Sequence, residues 1–421
     1  MFNKLIKLGS VIFSGFLILG ATMLVAETPP EATSSAPRLG LATFNPAVSV
    51  ILSGQYGYFS EEATNIPGFQ IGCHGARSGE GLKLGESEIN FSANIDHVMR
   101  GVLTLGIGND HGHDKLKVEE AFIESLSLPY GLTIKAGRFF PSFGYLNDKH
   151  KHTDSFSDRP LPYRAYLNGG FFDDGVQASV VLPTGLFSEI GAGVFNGSGF
   201  PASEDHHSPA LTTAFARIGG DFNTSHAWLL GASYMRANND EVGRVADGFI
   251  FHGSNNIYGV DFRYIFAPQG NNKTSEFSLQ AEVLHRSEDG EYKSSEGCSS
   301  NDHHHLTAFH SAHTEGGEGH VHSSTTGFYA QGVYKFMQNY RIGYRFALLT
   351  APKTPEGLEN TSLDAGGHNP RMHSIMAEYN TSEFGTFRLQ YNFDQTHGCS
   401  SDNQIVLSYS VSFGAHPAHA F

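Results

Sequence analysis

The chain has 421 residues, of which only 16% are charged and 12% are aromatic, with 49 Gly, 33 Phe, 17 Tyr and one Trp. Large soluble domains carry nearer a quarter charged residues and a larger aliphatic share, so this composition argues against a helical soluble enzyme and for many strands with one apolar face. The formal charge of −15 disfavours nucleic acid as a partner.

Lys4 and Lys7 precede an apolar run from Leu8 to Val25, interrupted by Gly9, Ser10, Ser14, Gly15, Gly20 and Thr22 and followed by the small Ala26. A positive flank, a short apolar core and a small residue at its end predict a cleaved secretory signal over residues 1–26. A retained anchor helix is the alternative, and the interrupting small residues count against it. No cysteine lies near the cut, which disfavours a lipoprotein. Residues 27–46, with three prolines in Glu27–Arg38, are expected to form a short periplasmic segment. No later stretch approaches the ~18–20 apolar residues of a spanning helix, but a membrane barrel leaves only short alternating segments.

Such segments recur through the rest of the chain. Ile405, Leu407, Tyr409, Val411 and Phe413 share one parity, and Val406, Ser408, Ser410 and Ser412 the other. Tyr258, Val260, Phe262, Tyr264 and Phe266 oppose Asp261 and Arg263 in the same way. A period of two sends alternate residues to opposite faces. The pattern predicts sixteen strands, at about 47–59, 82–96, 101–109, 116–127, 132–141, 174–182, 186–196, 210–222, 226–237, 256–267, 274–287, 326–337, 340–350, 371–382, 384–394 and 404–415. Short links follow the even-numbered strands and longer ones, such as 142–173 and 288–325, the odd-numbered. This alternation predicts an all-β fold: a transmembrane antiparallel up-and-down β-barrel over residues 47–421, with short periplasmic turns and long extracellular loops.

The chain ends on Phe421, in parity with Tyr409, Val411 and Phe413. These four residues resemble the C-terminal signature by which bacterial outer-membrane proteins are recognised, which implies the barrel-assembly machinery and outer-membrane lipid as partners. Glu119–Ile123 followed by Ala136–Gly144 resembles a strand–turn–strand of the phosphate-selective porin O/P superfamily. That family attracts anions with a basic lumenal ladder. Here Lys135, Arg217, Arg263, Arg286, Arg345 and Arg388 stand beside Glu86, Glu88, Glu282, Asp221 and Asp261 on the polar parity, so phosphate selectivity does not carry over. Asn147–Ala165 and the tail Gly414–Phe421 are similar to a group labelled zinc-regulated TonB-dependent outer-membrane receptors. Residues 27–46 are too few for the plug domain of such a transporter, so the mixed-charge lumen reads as an open or loop-constricted pore.

Histidine is unusually frequent, at 23 residues, and most fall in expected loops. The loop 288–325 holds His303, His304, His305, His310, His313, His320 and His322, with Cys298 just before the tract; Cys73 and His74 adjoin in another loop, and His150 and His152 lie in a third. Imidazole and thiolate are the preferred ligands of zinc and softer metals, so these residues are candidates for weak, reversible zinc capture. The spacing matches no closed zinc site, and low-complexity filler accounts equally for the tract, with a pH-responsive loop as a lesser third reading. One disulfide among the three cysteines is a further possibility.

The long link 142–173 is open to two readings, a surface loop whose ion pairs contribute little or an inward fold that narrows the channel. Arg159 and Arg164 facing Asp173 and Asp174, with Lys135 and Arg138 on the adjoining strand, would set a transverse field across the pore. The expected function is an outer-membrane porin for passive diffusion of small hydrophilic solutes or ions, with divalent metal such as zinc among the favoured ones. It needs no catalytic residue and no cofactor, and could form oligomers. The alternative is a barrel that displays metal- or host-binding loops without conducting.

Overall fold

A computed structural model describes residues 46–72, 75–77, 79–110, 113–203, 209–294 and 318–414. The signal segment 1–26, the segment 27–46 except Pro46, Cys73, His74, Cys298, the tract His303–His313 and Phe421 lie outside the described residues.

The described chain is a single antiparallel sheet closed on itself. Its strands are β1 (Ala47–Phe59), β2 (Gly81–Leu84), β3 (Ser87–Asn94), β4 (Met99–Asp110), β5 (His113–Ser125), β6 (Leu132–Phe139), β7 (Asp173–Val181), β8 (Phe187–Phe195) and β9 (Leu211–Asn223). They continue with β10 (His226–Asn238), β11 (Arg244–Ala246), β12 (Phe249–Phe266), β13 (Glu276–Ser294), β14 (Glu318–Met337), β15 (Tyr340–Leu349), β16 (Arg371–Ser382), β17 (Gly385–Gln395) and β18 (Asp402–Gly414). β2 and β3 together make one wall strand, and β11 adds only a short hairpin to β12, so the wall has sixteen strands. β1 pairs with β18 from Ser49↔Gly414 to Phe59↔Gln404. That seam leaves no open edge, as hydrocarbon requires.

The two faces sort as the alternation predicts. Val260 (54% exposed), Ile342 (49%), Ile375 (57%) and Leu389 (51%) project outward, whereas their strand neighbours Asp261, Arg345, Ser374 and Gln390 are buried inside. Near the short-turn end the outward rings form a belt: Phe222 stacks on Trp228, Phe336 on Tyr340 and Phe387 on Tyr409. Aromatic girdles of this kind mark the bilayer interface of membrane barrels.

The structure departs from the sequence reading in three places. β12, β13 and β14 run to 18, 19 and 20 residues, rising past the rest of the wall. The expected loop 288–325 is therefore strand at both ends, and His320 and His322 sit on β14 rather than in a loop. Glycine, serine and charged residues hid these extensions, because a strand standing in water needs no apolar face. The expected strand 82–96 is broken: Gly54 pairs with Leu84 and Ile51 with Glu88, so Gly85–Ser87 oppose only Leu52–Ser53. Finally, the lumenal parity is partly apolar. Met235, Ile257, Leu284, Ala347, Leu349 and Met372 are buried within the barrel in a core with residues 143–171.

An arginine placed outward at mid-wall would sit in hydrocarbon. Val260→Arg should cost about 2–4 kcal/mol in urea unfolding from lipid vesicles; an unchanged unfolding midpoint would contradict the lipid-facing assignment.

Candidate functional site

The site grows from the stretch between β6 and β7. Asn147 closes its base: Nδ2 donates to the carbonyls of Pro141 (3.0 Å) and Phe171 (2.9 Å), and Oδ1 accepts from the Phe171 amide (2.7 Å). Within it Pro160 and Pro162 start the helix α1 (Leu161–Leu167), and Asn168 in the left-handed region (φ 54°) ends it, with the Gly169 amide donating to Tyr163 O at 2.9 Å. Proline in a first turn and a left-handed cap are the usual helix boundaries. Every residue of α1 is buried. It packs on β14 and β15, where Gly327 makes room, since a Cβ there would stand 2.7 Å from Pro162 Cβ.

This stretch folds into the barrel and is pinned to much of its circumference. The Gly144 amide donates to Ser233 Oγ on β10 (3.1 Å), and the Tyr145 amide and Tyr163 hydroxyl donate to Glu282 on β13 (3.1 and 2.8 Å). Arg217 of β9 meets Asp148 at 2.9 Å. Arg345 of β15, 2% exposed, grips Asp158 through its carbonyl (2.6 Å) and carboxylate (2.7 Å), and Gln390 of β17 accepts from the Ser157 amide at 2.7 Å. Phe143, Leu146, Leu161, Leu167 and Phe171 are buried, each worth roughly 1.5–3 kcal/mol relative to exposure. A second stretch, residues 60–72 with 75–77, also turns inward. There Arg77 lies 3.8 Å from Asp402 and Gln70 donates to carbonyls of the β11–β12 hairpin.

Opposed charge is left on the lumen. On the β2–β5 side stand Glu86, Glu88, Glu119 and Glu120, converging on His150 and His152 of the infolded stretch. His150 Nδ1 lies 3.0 Å from Glu88 Oε2 and 3.6 Å from Glu119 Oε2, while its Nε2 lies 2.9 Å from Glu120 Oε2; His152 Nδ1 lies 3.2 Å from Glu88 Oε1. Burial works against a charged His150, but hydrogen bonds with Glu119, Glu120 and Glu88 outweigh it and hold the imidazole well above its ordinary pKa. On the far side Arg217, Arg263 and Lys149 line a lumenal cavity of about 210 Å³ with Tyr145 and Asp148. Arg341 and Arg388 add to that side, both paired with Glu378 (2.9 and 3.0 Å).

Arg159 and Arg164 do not stand as free cations facing Asp173 and Asp174, as the expected transverse field requires; all four are engaged elsewhere. Arg159 pairs with Asp154 and donates to the carbonyls of Leu146 and Lys149, both at 2.7 Å; burial still pushes Asp154 up. Arg164 donates to Gly75 O (2.9 Å). Asp173 accepts from the Gly197 and Ser198 amides. Asp174 forms a two-point pair with Arg138, 2.8 Å at each contact. Lys135 lies over the rings of Phe122 and Phe139. Of the metal candidates, His150 and His152 stand together in the lumen rather than outside. His320 Nδ1 donates to Gly290 O, and His322 lies 3.8 Å from Asp289, largely exposed. Tyr409, Val411 and Phe413 lie on β18 at the closing seam, opposite Gly54, Leu52 and Val50.

The sequence reading placed Glu86 and Glu88 on the lumenal parity but missed their meeting with Glu119 and Glu120. The signal was there in the doublet Glu119-Glu120. Two adjacent acids facing one lumen need a bulge, and alternation alone conceals it.

No family model matches the chain. An uncharacterized protein of Aquifex aeolicus (strain VF5) is 26% identical over 407 residues, covering 90% of this chain and 80% of that protein. Among solved structures, the outer membrane channel DcaP of Acinetobacter baumannii superposes with a TM-score of 0.52 at 12% identity, covering 87% of this chain and 97% of that one. OprB of Pseudomonas putida gives 0.51 at 13% identity over 88% and 94% of the two chains. The anion-selective porin from Comamonas acidovorans gives 0.51 at 11% over 87% and 99%. The chain therefore has the closed sixteen-strand barrel fold of outer-membrane porins.

Gly144 tests the docking of the infolded stretch. Its φ is +59°, and a Cβ would come 2.4 Å from Glu282 Oε2. Gly144→Ala should cost about 1–2 kcal/mol for the left-handed backbone alone and more for the collision. Trypsin should then cut at Lys149 or Lys151, sites shielded in the native barrel; continued resistance would count against the docking.

Proposed function

We propose that the protein is an outer-membrane channel through which small hydrophilic solutes and ions diffuse passively, with divalent cations such as zinc among the favoured ones. The observation that carries this reading is the infolded stretch 140–172, pinned across the bore so that acidic and basic side chains face each other there. Charged groups fixed at a narrowing select solutes, and a passing solute must bind weakly enough to leave again. The porin fold supports an outer-membrane location. Nothing in this reading calls for bond-making chemistry or a resident cofactor. The aromatic parity of β18 suits recognition by the barrel-assembly machinery, and the outward belt suits lipid.

The resemblances to phosphate-selective porins and to zinc-regulated outer-membrane receptors add a finer expectation. The mixed lumen favours the second, in so far as zinc is the solute. A display role has one observation of its own: β12–β14 run past the rest of the wall, and the His-rich residues 303–313 lie in the sequence between β13 and β14.

Purified protein in a planar bilayer should give stable open-channel steps. Arg345→Met should raise their conductance, because Asp158 loses its anchor and breaking such a buried pair costs about 3–5 kcal/mol. Absence of steps from the folded wild type would favour display.

A further inference from the structure

We propose that His150, His152 and Glu88 form a divalent transition-metal site at the constriction, with Glu120 as the outer partner of His150. The proposal deepens the channel reading and rests on it for its role in transport.

Two bulges build the site. On β2–β3 the extra residue at Gly85–Ser87 shifts the register so that Glu88 points inward opposite Ile51, and the Ser87 hydroxyl accepts from the Ser53 amide (3.0 Å) where the ladder is interrupted. On β4–β5, Thr104 pairs with Glu120 but Leu105 with Val118, leaving Glu119 without an opposite residue. A regular strand would send Glu119 and Glu120 to opposite faces; the bulge brings both within reach of His150. Bulges re-aim side chains in this way next to functional sites.

The hydrogen-bond order selects a ligand geometry. Thr104 Oγ1, itself accepting from Asn90 Nδ2 (2.7 Å), reaches Glu120 Oε2 at 3.3 Å. Glu120 in turn takes the proton on His150 Nε2 (2.9 Å). With Glu120 holding the Nε2 proton, displacement of the Nδ1 proton by a metal would leave Nδ1, which faces Glu88, as the ligand atom. A carboxylate behind a ligand histidine is the usual outer partner of a metal site. One ring nitrogen each of His150 and His152 and a Glu88 oxygen lie within 4.8 Å of one another; His150 Nδ1 lies 3.0 Å from Glu88 Oε2 and His152 Nδ1 3.2 Å from Glu88 Oε1, so the carboxylate can offer one oxygen toward each histidine in a small site of the kind zinc takes. Two imidazoles and a carboxylate suit zinc among common divalent ions. The histidine side chains keep 17% and 12% exposure, so the cluster borders the lumen. A second overlapping set, Glu86, Glu119 and His150, lies beside the first. Glu86 Oε2 there is buried and receives no hydrogen bond, and Lys151 of the infolded stretch acts on it electrostatically. A divalent ion would offset this excess of carboxylate.

Zinc chloride titrated calorimetrically into the full-length barrel in detergent tests the site. His150→Gln/His152→Gln and Glu88→Gln should each lose one equivalent per chain, with unaltered heat-modifiable gel mobility as the folding control. Glu120→Gln should keep the stoichiometry and weaken affinity by roughly 10–100-fold. Deleting residues 298–317 should leave this equivalent in place. Equal uptake by wild type and the double variant overturns the proposal. If the variants do not assemble, zinc-edge anomalous diffraction from soaked wild-type crystals decides: a peak between His150 Nδ1 and His152 Nδ1 supports the site, and peaks on external histidines alone overturn it. Bilayer conductance separates the two readings: steps without zinc here remove the site and keep the channel, whereas zinc here in a silent barrel supports the site and removes the channel.

Discussion

Closure of the β1–β18 seam is the constraint from which the rest follows. Hydrocarbon supplies no hydrogen-bond partner, so each wall strand must find both neighbours in the chain itself. Once the ladder from Ser49↔Gly414 to Phe59↔Gln404 is made, alternation leaves one set of side chains to lipid and one to an enclosed bore. The bore is too wide for wall side chains to fill, and residues 140–172 occupy it.

That infolded stretch narrows the cylinder. Its apolar side chains find a dry patch on β10 and β12–β16, so it is held by burial as well as by polar contacts. Its polar groups are each claimed by a different strand: Glu282, Arg345, Gln390 and Arg217. What remains is a lumen with carboxylates and histidines on one side and guanidinium groups on the other. The charges sit on rigid wall strands, and the histidines on a segment those strands hold, so the field at the narrowing is fixed before any solute arrives.

Most of the wall was legible in the sequence, because lipid and water impose opposite demands on alternate residues: the row Ile405 to Phe413 needs no further information. The long link 142–173 was legible too, with its inward course as one of two readings. Its contacts were not. Arg159 and Arg164 look like free lumenal cations, yet they serve main-chain carbonyls of Leu146, Lys149 and Gly75, because a compact loop must satisfy its own buried polar groups. The bulges were hidden for a different reason. A one-residue register shift changes which face Glu88 and Glu119 occupy without changing composition or average alternation. The extended β12–β14 escaped because strands in water can be polar on both faces.

Amide hydrogen exchange of the unaltered protein in lipid nanodiscs tests the account most directly. The amides of Tyr145, Leu146, Ser157 and Phe171 donate to Glu282, Tyr163, Gln390 and Asn147 inside the barrel. They should exchange as slowly as wall-strand amides. Exchange at the rate of an open surface loop would show that the bore is not constricted by this segment.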